Sequence, residues 1–295
     1  MDPSRIGAHV NNPAAQTALG PMVIVAVDQH ENPPLVHDGL AGRMLPRGGR
    51  LAVAAARWRP VRRALINATE RRMPGLWASM LCRKRYIDDI VERVAPHVAA
   101  AVILGAGFDT RAYRLPALAG MPVYEVDQPL NIRRKRAALA AAGRRHGGVT
   151  LVPVDFQTQQ LAGVLAGHGY RATEPTVFVW EAVTQYLTED AVRATFDFLA
   201  AAPAGSHLVF TYIRQDFLDG TALYGAEPAY HEFVVKRRLW HFGMHPERVA
   251  GFLAGYGWTH TEQLGPAEFA ARYVTPSGRN LPVSEIERCV HATKN

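Results

Sequence analysis

A chain of 295 residues makes one large domain, or one domain with an added cap. With 48% hydrophobic and 20% charged residues it has the composition of an ordinary globular protein with a core of useful size, which sets aside disordered and fibrous chains. The net charge of +7 raises the question of nucleic acid, but the arginines read as spread along helix faces, so no nucleic-acid partner is expected.

Residues 1–20 are polar and read as loosely ordered. The apolar run from Thr17 to Val27 contains Pro21, lacks a basic flank and is too short to span a bilayer. No membrane partner follows from it, and the chain reads as cytoplasmic. Residues 21–97 read as helical, broken at Pro33-Pro34 and at Pro46-Arg-Gly-Gly49. Arg57, Arg59, Arg62, Arg63, Arg71 and Arg72 mark solvated helix faces. Ile87, Ile90, Val91 and Val94 recur at helical spacing, and Pro96 ends that helix. Residues 1–97 are therefore taken as a helical cap. Cys82 and Cys289 show neither C-x-x-C nor zinc spacing and read as reduced thiols, so no metal is expected.

From residue 98 onward strands and helices alternate, as in a parallel sheet. Strands are expected at 101–105, 122–127, 150–155, 176–181 and 207–213, and helices around 130–142, 158–166 and 189–202. Thr188 is the expected N-cap of the last of these, with Glu189 and Asp190 in its first turn. An aromatic and basic segment at 214–245 comes next. Pro246 then opens a helix with Val249, Phe252 and Leu253 inward, and β stretches at 257–263 and 286–292 close the chain. The fold class is α/β.

Chemistry concentrates at the expected strand ends. Gly105 and Gly107 follow the first strand, where glycine permits a sharp turn and close approach of a ligand. Asp127 ends the second strand, 22 residues after Gly105, at the spacing of a ribose-binding acid. Asp155 ends the third and Glu181 the fourth. Ligands of open α/β sheets bind outside the carboxyl ends of strands, so these residues should share one crevice. Asp127 suits two ribose hydroxyls. Asp155 suits an adenine amine with Phe156 packed on the ring, and Glu181 suits an amino group. Each acid taken singly also reads as a helix cap or turn residue. A dinucleotide would want a third glycine where Thr110 stands, and Asp109 has the wrong charge for phosphates. S-adenosylmethionine carries no phosphate, and its cationic groups suit an acid-lined pocket.

The segments Val102-Ile-Leu-Gly-Ala-Gly-Phe-Asp-Thr-Arg-Ala-Tyr-Arg114, Tyr124-Glu-Val-Asp-Gln-Pro129 and Glu181-Ala-Val-Thr-Gln-Tyr-Leu187 resemble the leucine carboxyl methyltransferase family. The tail segments Trp240-His-Phe-Gly-Met-His-Pro246 and Glu287-Arg-Cys-Val-His-Ala292 agree. Within the family the chain is most similar to the actinobacterial branch, which itself resembles the tetracenomycin-type polyketide carboxyl methyltransferases. The resemblance covers about residues 83–292. It implies a class I methyltransferase sheet, Rossmann-like and mostly parallel with an antiparallel last strand, and S-adenosyl-L-methionine as cofactor. It places Gly105 under the cofactor, Asp127 on its ribose, Asp155 and Phe156 by the adenine, and Glu181 near the methionine end. Arg83 falls on the family arginine that pairs with the methionine carboxylate. One stretch departs. The family usually has a basic residue near the place of Val27-Asp28 and an Asp-Pro pair where Asp38-Gly39 stands here, so no cofactor role is carried onto residues 27 and 28.

A carboxylate acceptor of a methyl group needs no base, and a hydroxyl acceptor can use one. His231, His241 and His245 lie in or beside 214–245, where a lid is expected, and Tyr186, Tyr212, Tyr224 and Tyr230 are candidates to line the pocket. No catalytic residue is named. The segment Trp180-Glu-Ala-Val-Thr184 lacks the Asn/Asp-Pro-Pro-aromatic signature of base N-methyltransferases, which favours O-methylation of a small metabolite. A nucleic-acid methyltransferase and a non-catalytic cofactor-binding protein are the alternatives.

Overall fold

Residues 19–144, 147–155 and 158–295 are described by a computed structural model of the chain. Most of the expectation for 1–20 therefore lies outside the described residues, as does the one for Phe156. Strand β1 (Ala100–Leu104) is buried along its whole length, and its side chains alternate between two cores. Val102 and Leu104 enter one, and Ala101 and Ile103 the other. A strand buried on both faces is what a central parallel strand requires.

Strands β2 (Val123–Asp127), β3 (Val149–Pro153), β4 (Thr176–Trp180) and β5 (His207–Arg214) complete the parallel part. The order is β3-β2-β1-β4-β5-β8-β7. Strand β8 (Glu287–Lys294) inserts antiparallel between β5 and β7 (Trp258–Leu264), and the short β6 (Gly243–Met244) pairs with the end of β5. Strand positions and the antiparallel insertion match the sequence expectations to within two residues.

Helices cover both faces. The N-terminal ones are α1 (Leu19–Asp28), α2 (Ala41–Met44), α3 (Arg47–Ala55), α4 (Arg59–Glu70) and α5 (Leu76–Val94). Along the sheet follow α6 (Arg111–Arg114), α7 (Pro129–Ala141), α8 (Leu161–Gly167) and α9 (Glu189–Ala200). After β5 come α10 (Gln215–Leu218), α11 (Glu227–Tyr230), α12 (Val249–Ala254) and α13 (Pro266–Phe269). Helix α5 buries Ile87, Ile90, Val91 and Val94 against Ile103, Val177, Val179 and Val209 of the sheet. It is thus a layer of the sheet core. Helices α1 and α2 form a separate apolar cluster with Trp77, Leu81 and Leu139. On the opposite face α9 buries Val192, Phe196 and Leu199, and the Thr188 hydroxyl caps it by accepting from the Ala191 N–H. Val249 and Leu253 of α12 are fully buried.

The basic surplus lies mostly on the N-terminal helices and the turns that join them. Residues 41–72 hold nine arginines and one acid, Glu70, while the remaining 24 basic and 25 acidic residues nearly cancel. Arg62 is not on a solvated face. It is buried and paired with Glu31 at 2.6 Å. Arg57, Arg59, Arg63, Arg71 and Arg72 are exposed, as expected. No helix of the described residues is long and apolar enough to cross a membrane.

Strands β5 and β8 also carry two stacked histidines. His207 Nδ1 and His291 Nε2 are 3.1 Å apart, with ring centroids at 5.3 Å. Burial, and then the neighbouring His207, bring His291 down to about 4; burial lowers His207 as well. The folded state therefore binds fewer protons than the unfolded chain, whose histidines titrate near 6.5. Stability from this pair is complete above that value and is lost as the pH falls toward 4. Urea unfolding between pH 7.5 and 4.5 should show the native chain losing about 2 kcal/mol more than the His207→Asn/His291→Gln double variant. Parallel losses in the two would show that the pair does not titrate.

Candidate functional site

The strand order reverses between β1 and β4, and a crevice opens at their carboxyl ends. A cavity of about 870 Å³ lies there, in the size range of sites for small molecules and cofactors. Gly105 follows β1 with φ +65°, and a β-carbon on it would lie 2.3 Å from Val183 Cγ2. Glycine is required both for the turn and for the close passage of the chain after β4. Gly107 also has a positive φ, and its N–H donates to Asp127 Oδ2 at 2.6 Å.

Asp127 also accepts from the Gln128 N–H at 2.6 Å and the Asn131 amide at 2.8 Å, both on Oδ1. A carboxylate offers about four lone-pair sites, so three protein donors leave roughly one, on Oδ2. The expected pair of ribose hydrogen bonds is thereby reduced to one direct acceptor site. Burial pushes the carboxyl above the ordinary aspartate value, against the pull of these donors. Asp127 both lines the cavity and ties the glycine turn to helix α7.

Glu181, just after β4, also lines the cavity. Burial would raise its carboxyl, but Lys84, Arg111 and Arg83 together hold it well below the usual range. Arg83 Nε is at 2.8 Å, Arg111 Nη1 at 2.6 Å and Lys84 Nζ at 3.4 Å. The next residue, Ala182, has φ +56° and donates its N–H to Thr211 Oγ1 at 2.8 Å. A positive φ is costly for alanine, and it sets the direction in which the chain leaves β4.

Arg83 is 4% exposed and lies between two acids. Its Nη1 reaches Glu287 Oε2 at 2.6 Å as well as sharing Glu181. Arg83 lines the cavity, but Nε and Nη1 are already taken up by protein carboxylates. Behind it Arg111 is fully buried among Asp88, Asp109 and Glu181. Arg114 links Asp88 to Asp38, and the Thr110 hydroxyl donates to Asp38 Oδ2 at 2.5 Å. Thr110, which displaces the third glycine of a dinucleotide loop, thus anchors the turn to the N-terminal segment.

Asp155 is exposed and is not among the described residues that line the cavity. Its backbone N–H donates to Gln159 Oε1 at 2.9 Å in a turn after β3. The structure brings Arg83, Gly105, Gly107, Asp127 and Glu181 together and leaves Asp155 outside. Asp28 does not reach the cavity either. It is buried, accepts from the Leu35 N–H at 2.7 Å and pairs with Arg279. Of the tyrosines proposed for the pocket, Tyr186 lines it. The Tyr212 hydroxyl donates to Gln263 and that of Tyr224 to Asp216, and Tyr230 packs on Phe217. His231, His241 and His245 are not among the described residues lining the cavity.

Sequence reasoning missed Lys84, Gln185 and Glu287 as cavity residues, while Asp109 of the glycine turn and Trp240 of the expected lid do line it. Lys84 is adjacent to Arg83 on one helix. Glu287 is 204 residues from its partner Arg83, and no local pattern announces it. Counted over the described lining, four carboxylates (Asp109, Asp127, Glu181, Glu287) face two cations (Arg83, Lys84). The cavity is net anionic inside a net cationic protein.

The site's double use of Asp127 gives a testable outcome. Asp127→Ala should lower unfolding stability by about 1–3 kcal/mol, because three partly buried hydrogen bonds to its carboxylate are lost. Urea denaturation checks it. Native-like stability would mean that the glycine turn is held by other contacts.

A model of the leucine carboxyl methyltransferase family matches residues 18–200. A Frankia alni protein provisionally named as an S-adenosyl-L-methionine-dependent methyltransferase is 31% identical over 271 residues, spanning 88% of this chain and 89% of that one. A similarly named protein of Mycolicibacterium smegmatis is 34% identical over 220 residues, spanning 70% and 69%. Among solved structures, one provisionally described as a Thermobifida fusca methyltransferase superposes with a TM-score of 0.56 at 18% identity, covering 80% of this chain and 88% of that one. A DUF574 family protein of Streptomyces avermitilis gives a TM-score of 0.56 at 16% identity, covering 92% and 97%. At those identities the two structures show a common fold.

Proposed function

The chain belongs to the leucine carboxyl methyltransferase family, and from that premise we propose that it transfers a methyl group from S-adenosyl-L-methionine to an oxygen of a small metabolite. The observation that carries this reading is the excess of acids over bases around a glycine turn at the switch point of the sheet. S-adenosyl-L-methionine supplies an electrophilic methyl on a sulfonium. Its sulfonium and ammonium outweigh its one carboxylate, so a net anionic cavity suits it and disfavours a pyrophosphate.

The residues divide the work of binding. The open lone pair on Asp127 takes a ribose hydroxyl. Glu181 and Glu287, kept close to Arg83 and Lys84, present fixed negative charge to the ammonium. Of the two cations in the described lining, Lys84 has the more free donor capacity, since among the described residues its acid contact is the long one to Glu181. It and the remaining Nη2 of Arg83 are our choice for the methionine carboxylate. Much of the catalysis then comes from positioning the acceptor oxygen near the methyl and excluding water. We read Asp155, exposed beyond the cavity lining, as lying toward the adenine edge.

In this reading residues 1–97 form a cap, with α5 as its fixed base, over the cofactor-binding domain at 98–295. The stretch 214–245 serves as a lid through Phe233 and Trp240, which line the cavity. Of its other aromatic residues, Phe217, Tyr224 and Tyr230 form a packed cluster with Ile213 and Ile286. The acceptor is a small molecule, and the enzyme acts in the cytoplasm.

Isothermal titration with S-adenosylhomocysteine and with NAD tests the cofactor. S-adenosylhomocysteine should bind, and binding of NAD in its place would overturn the reading. Lys84→Met should weaken S-adenosylhomocysteine by about 1.5–3 kcal/mol with little change in stability. Arg83→Ala should lower stability by about 3–5 kcal/mol, because Glu181 and Glu287 are left without their shared cation. Full affinity in Lys84→Met would return the carboxylate to Arg83.

A further inference from the structure

Helices α3 and α4 leave their apolar side chains on the surface. None of the nine residues of α3 is buried, and of the twelve in α4 only Arg62 is. Residues two apart on a helix point to nearly opposite sides. Val53 packs on the apolar cluster beneath α3, so Leu51 points outward and is 71% exposed. Trp58, at the start of α4, is 75% exposed, and Val61 follows it in the open. These are three of the four large apolar residues left exposed among the described residues. Scattered singly they would need no explanation, but all three fall between positions 51 and 61.

The same surface is cationic without counter-charge. Arg62 aside, the other eight arginines of 41–72 are exposed and have no carboxylate partner among the described residues. Glu70, the one acid of the stretch, instead accepts from the Gly75 and Trp77 N–H groups at 2.6 and 3.1 Å. Residues 1–18 add only one acid, Asp2, and one base, Arg5. Between α3 and the end of α7 lies a cleft of about 360 Å³, lined by Arg43, Arg50, Arg57 and His30 and, among the described residues, by no acid. Arg43 is fixed by donating to the Ala142 carbonyl, and His30 Nε2 lies 3.0 Å from the Val53 carbonyl. The side chains of Arg50 and Arg57 make no hydrogen bond or ion pair with described residues. Two guanidinium forks are left for an anion, and a phosphate matches their geometry.

A nucleic acid would answer the arginines but gains nothing from an exposed leucine and valine. A bilayer with anionic headgroups answers both, with phosphates at the level of the arginines, hydrocarbon just beneath, and a boundary layer that tryptophan favours. We propose that the α3–α4 face docks this protein on an anionic phospholipid bilayer, with a headgroup phosphate in the Arg43–Arg50–Arg57 cleft and Leu51 and Trp58 in the interface. The contact is with the membrane surface and is not a span. It goes beyond the methyl-transfer reading and does not depend on it. Helix α4 also lends Leu65 and Thr69 to the wall of the large cavity, so the docking helix is part of that site.

Co-sedimentation of the full chain with vesicles tests this, using phosphatidylcholine alone and phosphatidylcholine with about one-third phosphatidylglycerol. The native chain should partition about tenfold or more strongly onto the anionic vesicles, and added salt should release it. Arg50→Gln/Arg57→Gln should weaken that partition by about tenfold, through lost charge. Leu51→Ser/Trp58→Ser should weaken it by about tenfold as well, through lost apolar burial, and keep the salt dependence. All four side chains are exposed, so the melting temperature should not change, and if one double variant misfolds the other still reports. A mixed-sequence DNA duplex and a single-stranded RNA, titrated at the same salt, supply the counter-test. Equal partition onto the two kinds of vesicle, partition that either folded variant leaves unchanged, or tighter binding to nucleic acid than to anionic vesicles would overturn the inference.

Discussion

A carboxylate buried at the end of the fourth strand constrains much of this molecule. Glu181 must stay ionised in a place that water scarcely reaches, and burial alone would protonate it. Three cations prevent that. Each of the three is supplied from outside β4, two by α5 and one by α6. Arg83 in turn needs Glu287 from β8, and Arg111 needs Asp88 and Asp109. The chain from Asp38 to Glu287 is thus joined through one ionic floor beneath the cavity. Such a floor is costly to assemble and costly to break at a single point, so it fixes geometry more than it adds stability.

The same floor explains the odd N-terminus. Asp28, at the place where the resemblance leads one to look for a base, is not among the described residues lining the cavity. It closes a turn onto Leu35 and holds Arg279. Asp38 starts α2 by accepting from the Leu40 and Ala41 N–H groups, and its second oxygen takes the Thr110 hydroxyl. The N-terminal helices are therefore pinned to the glycine turn by a hydrogen bond, and Met22, Val23 and Ile24 of α1 reach the cavity wall. The acid that looked like a departure in the binding site is a structural acid elsewhere, and the cation beside Glu181 comes from the adjacent residue, Lys84.

The cavity also shows why charge balance over a whole chain says little about a site. The arginines of 41–72 supply a surplus larger than the net charge itself, and they sit on the outer helices. The cavity carries the opposite sign. Lining by two cations and four acids is a local property set by which side chains α5, β2, β8 and the turns after β1 and β4 bring to one cavity.

Much of the fold was legible in the sequence because it follows from local periodicity. The strands, the capped helix at Thr188 and the glycine turn were placed by patterns that span fewer than about 20 residues. Gly105, Gly107, Asp127 and Glu181 were legible for the same reason: strand ends in a parallel sheet share one edge, so an acid at each end meets the others. Asp155 obeyed that pattern too, but it lies two residues past β3 in an exposed turn and is not among the described residues lining the cavity. Arg83 was placed in the site by resemblance, but its engagement by Glu181 and Glu287 was not. That engagement and the pairing of Asp28 with Arg279 depend on contacts between residues far apart in the chain. Periodicity carries no information about such contacts, because it records which face a residue occupies and not what the rest of the chain brings to that face.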